Sequence, residues 1–104
     1  MSDTLTKPNL GIDPDTLKKI YVQMSRIHEV DKAIKAGQQA GKMFFSYWPM
    51  TGQECIPATI STMTDNDDYM VTIYRGIHDQ VAKGVDLKGL FAETLGRSAG
   101  VNKG

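Results

Sequence analysis

YMVTIYRG, residues 69–76, is the stretch on which the fold turns. Tyr69 to Ile73 is a short run of β-branched and aromatic residues, the composition of a strand heading into a core. Its near-continuous apolar character suits a strand buried on both faces of a parallel sheet. The run then delivers Tyr74, the fixed charge of Arg75, and Gly76. In open α/β sheets, ligands bind beyond the carboxyl ends of the strands. An Arg there offers a planar fork of donors suited to phosphate oxygens, a Tyr adds a phenolic donor, and a Gly lets a backbone come close. Spacing alone leaves two readings of Tyr74-Arg75-Gly76 open: an anion site at a strand end, or an Arg that bridges helix ends.

Helical patterns flank the stretch on both sides. Asp13 followed by Pro14 is a helix start, with a side chain able to accept from unpaired N–H groups and a Pro suited to the first turn. Leu17, Ile20, Tyr21, Met24, Ile27 and Ile34 recur at helical spacing, predicting a long helix over about 14–37 that ends at Gly37 or Gly41. Asp31 lies on that apolar stripe, where a carboxylate is expected to pair with a base from a neighbouring element. KMFFSYWPM, residues 42–50, is the densest aromatic cluster, and Pro49 blocks helix there. A second helix opens at Thr51-Gly52 with Ile56, Ile60 and Met63 along one face and Pro57 in its first turns. TDNDD, residues 64–68, is a turn by composition. A third helix begins near Gly76 and ends at Lys83-Gly84. Asp86 caps a fourth, with Leu87, Leu90, Phe91, Thr94 and Leu95 as its stripe and Gly96 as its end.

The 104 residues make one segment, with residues 1–12 as an extended lead-in. Twelve basic residues balance twelve acidic ones, which argues against nucleic acid as a partner. No apolar run approaches the roughly 20 residues that span a bilayer, and no signal peptide opens the chain, so a cytoplasmic setting is expected. The lone Cys55 excludes an internal disulfide and a cysteine metal knuckle, and reads as a small core residue. One buried-type strand cannot make a sheet. The fold class is therefore α/β: a mostly helical segment with one buried strand, completed by other chains or by a missing remainder.

Other candidate chemistry is thin. His78 and Asp79 are adjacent and point in different directions on a helix, so they cannot readily serve one another. His28 has no second ligand at metal spacing and reads as structural. Neither a G-x-x-x-x-G-K loop nor a G-x-G-x-x-G fingerprint is present, and no metal-ligand cluster stands out.

The order of motifs is more informative than any one of them. An aromatic loop leads into Gly52-Gln53-Glu54. An acidic turn, a strand and Tyr74-Arg75-Gly76 follow, then Ala82-Lys83-Gly84 and the glycine-spaced run from Gly96 to Gly104. This series, over roughly residues 15–104, resembles the α subunit of thiamin diphosphate-dependent 2-oxo acid dehydrogenases, the decarboxylating first component for pyruvate, branched-chain oxo acids and acetoin. The resemblance implies a thiamin diphosphate-binding fold, decarboxylation and acyl transfer, and a hetero-oligomer with the rest of the α fold and a β-type subunit. The implied substrate is a small 2-oxo acid or an acyloin. Tyr74 and Arg75 would hold the cofactor's diphosphate, and Phe45, Tyr47 and Trp48 would flank its substrate end. Gly52 to Glu54 would start a helix and support the pocket.

The chain departs from the family pattern in three places. Many relatives read Y-R-x-H, whereas that place is Ile77 here and the His comes one later, at His78. The family's G-D-G and following Asn are absent. The sequence also stops before the family's His-bearing loop, so the Mg2+ ligands and catalytic histidines are expected outside it, and no metal ligand or catalytic residue is assigned within it. Two alternatives share these residues: a non-catalytic helical assembly module, and a transketolase-like ketol-transferring subunit.

Overall fold

The structure, a computed structural model, describes residues 11–104. The expected lead-in over 1–12 falls, but for its last two residues, outside the described residues. The described chain runs through α1 (Pro14–Gln39), α2 (Cys55–Met63), α3 (Ile77–Lys83) and α4 (Leu87–Thr94).

Helix α1 starts as its sequence dictates. Asp13 sits in an extended conformation and accepts from the backbone N–H groups of Asp15 at 3.1 Å and Thr16 at 3.0 Å, while Pro14 fills the first helical position. Ile20, Ile27 and Ile34, spaced by two turns, are buried together with Val30. Each fully buried aliphatic side chain of this kind contributes about 1.5–3 kcal/mol over leaving it in water. Of the two candidate terminators, Gly41 is the one past the helix end, at φ +68°. Gly37 lies within α1 for a different reason: a Cβ there would come within 2.7 Å of Met43 Sδ, so its absence lets the chain double back.

Helices α2 and α3 pack on α1 and on each other. Here the reading of Cys55 as a core residue is corrected. Helix α2 turns Pro57 and Ala58 inward, and the stripe Ile56, Ile60 and Met63 faces outward. At 100° per residue the centres of the two sets lie about 140° apart, so burying Pro57 and Ala58 turns the Ile56–Met63 stripe toward solvent. Cys55 goes with the outer set and is exposed, not a core residue.

Helix α3 ends at Gly84, in the left-handed region at φ +93°. Asp86 then caps α4, accepting from the Gly89 N–H at 2.7 Å, and Leu90 joins the buried core. Beyond α4 the chain folds back over it: the Glu93 carboxylate accepts from Asn102 N at 2.8 Å and Gly104 N at 3.0 Å. Gly100 passes so close that a Cβ would lie 2.8 Å from Glu93 N.

The expected buried strand over residues 69–73 is the second correction. Among the described residues there is no strand, and Tyr69 and Val71 are 100% and 98% exposed. A strand exists only through the ladder it shares with a neighbour. The described residues supply no partner strand, so the apolar segment lies open on the surface. The expected fold class holds in its helical part only. No helix among the described residues is long and apolar enough to cross a membrane.

Candidate functional site

The 45–51 loop, the turn at 73–76 and the start of α3 converge beside α1, and the side chains they bring divide into an inner and an outer group.

The inner group is built on Asp31, which is 1% exposed. Lys35, one turn on in α1, places Nζ 2.6 Å from Oδ2. The Tyr47 hydroxyl donates to Oδ1 at 2.5 Å and the Thr51 hydroxyl to Oδ2 at 3.0 Å. Lys35 also donates to Thr51 Oγ1 at 2.8 Å, so the carboxylate and its donors form one closed network. Burial alone raises the Asp31 pKa. Hydrogen bonds from Lys35, Tyr47 and Thr51 outweigh it and hold the group below the usual carboxylate range. The phenol of Tyr47 is pushed upward, first by burial and then by its bond to Asp31, so it stays a neutral donor. The base expected for Asp31 is thus Lys35 of the same helix, with the neighbouring segments contributing hydroxyls.

His78 joins from α3, also 1% exposed, with Nε2 3.0 Å from the Tyr47 oxygen and 3.8 Å from Asp31 Oδ1. The one phenolic proton goes to Asp31, so the Tyr47 oxygen accepts and His78 Nε2 carries the hydrogen. Nδ1 is left buried with no hydrogen-bond partner among the described residues. Asp79 points elsewhere, to the Thr72 hydroxyl, as expected for adjacent helical residues.

The loop itself is anchored at several points. Gln38 donates to the Phe45 carbonyl at 2.7 Å, and the Phe45 and Tyr47 rings meet edge to face, 6.2 Å between centroids. Tyr47 and His78 stack at 6.0 Å. Past the loop, Glu54 accepts from the Gly52 N–H at 2.7 Å and meets His28 Nδ1 at 3.1 Å, tying the start of α2 to α1. Burial works to raise the Glu54 pKa, but backbone N–H donors and His28 more than offset it. His28 therefore has the structural role its sequence position suggested.

The outer group is Trp48, Tyr74 and Arg75. Trp48 is 53% and Tyr74 75% exposed, and Arg75 is exposed between them. Its guanidinium carbon lies 5.2 Å from the Trp48 ring centroid and 5.5 Å from that of Tyr74, within cation–π range. Among the described residues no ion pair involves Arg75. The turn that presents it is closed by Gly76 N donating to the Ile73 carbonyl at 2.8 Å. Gly76 is buried, and a Cβ there would overlap the Thr72 side chain and the Ile73 carbonyl oxygen. Packing of the turn, rather than approach of a ligand, requires that glycine.

The fold brings together three of the five residues singled out in the sequence, Tyr74, Arg75 and Trp48, at the surface. Phe45 and Tyr47 lie behind them, packed against the core. Sequence reasoning missed Lys35 and Thr51. The one signal that pointed to them was the carboxylate of Asp31 in the middle of an apolar stripe, which obliges donors to converge on it. Among the described residues no group of three or more His, Cys, Asp or Glu could hold a metal ion.

These features sit in a chain that matches, over residues 22–104, the dehydrogenase E1 component family. The chain belongs to that family, and the resemblance drawn from the order of its motifs is borne out. No curated protein and no solved structure gives a significant match.

Proposed function

We propose that the chain is the diphosphate-clamping part of the α subunit of a thiamin diphosphate-dependent 2-oxo acid dehydrogenase. The observation that carries this is the outer group: an exposed guanidinium with no carboxylate partner among the described residues, held beside two aromatic rings and next to a phenol. The two ring contacts engage the faces of the guanidinium and leave its in-plane N–H donors open. This donor set fits a dianionic or trianionic group, for which in-plane N–H donors and a phenolic O–H are suited. Arg75 and Tyr74 would hold the diphosphate.

When bound, the cofactor supplies carbanion chemistry at its C2, by which a 2-oxo acid loses carbon dioxide. The residues of this chain bind and orient. Phe45 and Tyr47 would back the wall of the substrate end, with Trp48 at its rim. The Tyr47 hydroxyl donates to Asp31 and stays neutral, so the phenol itself brings no charge to the wall. The Mg2+ that accompanies the diphosphate would take its ligands from outside the described residues.

The rest of the α fold and a β-type chain are the partners this reading requires, in a cytoplasmic hetero-oligomer acting on a small 2-oxo acid or acyloin. Tyr69, Val71 and Ile73, and the Ile56, Ile60 and Met63 face of α2, are apolar surfaces for such neighbours to cover. The test is Arg75→Ala in the complex assembled with a β-type chain. Thiamin diphosphate affinity should fall by about 1.5–3 kcal/mol, the range for hydrogen bonds to charged groups. Unchanged affinity would sink the clamp.

A further inference from the structure

We infer that Trp48 is a positioning residue for Arg75: its ring fixes the guanidinium in the orientation that receives the anion. This deepens the clamp reading and rests on it. Arg75 is long, exposed and, among the described residues, without an ion pair, so left alone it would sample many rotamers. Trp48, in contrast, is placed by groups that Arg75 does not touch. The residue before it, Tyr47, is pinned by Asp31 at 2.5 Å and His78 at 3.0 Å. Three residues before it, the Phe45 carbonyl is held by Gln38 at 2.7 Å. The loop that carries Trp48 is therefore anchored on both sides of Tyr47 by the buried network, and the guanidinium lies 5.2 Å from the Trp48 ring centroid. Tyr74 flanks the same guanidinium at 5.5 Å, so both rings restrict it while its in-plane N–H donors stay available. A cation ordered before the ligand arrives loses less freedom on binding.

The test is a double-mutant cycle in the assembled complex, read by calorimetric titration with inorganic pyrophosphate. Trp48→Leu should weaken binding about two- to fivefold, the size of an exposed cation–π contact. Trp48→Phe, which keeps a ring, should restore most of it. In an Arg75→Ala background, Trp48→Leu should change nothing. An equal loss in that background would overturn the inference, because Trp48 would then act on the ligand or the fold directly. A Trp48→Leu protein that binds as the parent does would overturn it as well.

A second readout separates the two failures. Trp48 is the only tryptophan of the chain, so its emission reports the ring contact in the 104-residue protein itself. Arg75→Ala should shift that emission, and an unshifted spectrum would remove the contact and this inference alone. If emission shifts but Arg75→Ala leaves pyrophosphate binding unchanged, or if the parent complex binds no pyrophosphate, the clamp and the positioning role fall together.

Discussion

Two groups of polar and aromatic side chains meet at the 45–51 loop, and they differ in what they do with their hydrogen bonds. In the inner group Asp31 is surrounded: Lys35, Tyr47 and Thr51 all donate to it, and His78 stands behind the phenol. In the outer group Trp48, Tyr74 and Arg75 spend their contacts on one another's faces and leave their donors to solvent. A buried carboxylate without donors is too costly to keep, so the inner group had to be satisfied for the chain to fold. An exposed guanidinium carries no such demand. One group accounts for stability, and the other is free for a ligand.

The largest test of that contrast is Asp31→Ala. It strands three donors around an empty site and should cost about 3 kcal/mol, the low end for a broken buried pair because Lys35 is partly exposed. Urea unfolding measures it, and a loss near zero would put the inner network on a par with the surface.

The same carboxylate sets a pH dependence. Its folded pKa is held below the unfolded value of about 3.9, so its contribution is complete above that value. The contribution is lost as pH falls through the lower folded value. Acid titration of the unfolding midpoint should therefore show a limb that Asp31→Asn flattens. A limb unaltered in the variant would point to other carboxylates.

Tyr47→Phe is milder, since Lys35 and Thr51 remain on Asp31. A loss of about 1–2 kcal/mol is expected, with His78 Nε2 also left unpaired. Arg75→Ala comes last: it should move unfolding by no more than about 0.5 kcal/mol, as for surface substitutions, whatever it does to cofactor binding. A large destabilisation would return Arg75 to the structural side of the comparison.

The parts of the fold that were legible in the sequence are those specified locally. Asp13-Pro14, Gly84, Asp86 and Gly96 each act on backbone groups within a turn of themselves, and α1, α3 and α4 begin or end where they stand. The parts that were not legible depend on neighbours. An apolar stripe says that a helix has two faces, but not which face meets α1. In α2 it is Pro57 and Ala58 that meet the neighbouring helices, while Ile56 and Ile60 stay exposed. The apolar run at 69–73 has strand composition, yet composition cannot supply the second strand. Likewise, the candidate site was legible at Tyr74 and Arg75, which sit together in sequence. The joining of Trp48 to Arg75 was not, because it depends on the path of a loop 27 residues away.

The open segment at 69–73 has a consequence for handling the protein. Among the described residues no backbone–backbone hydrogen bond holds residues 69–72, and the run from Tyr69 to Ile73 carries no charge of its own. Such a run is a template for cross-β pairing with an identical run on another copy. Asp65, Asp67 and Asp68 stand immediately before it and Arg75 closely follows, the placement of gatekeeper charges. The aspartates on the leading side repel those of another copy paired in parallel, and that repulsion fades once the Debye length shortens. In the isolated chain, then, the guard on this segment is a salt-sensitive one, set by three aspartates just outside it.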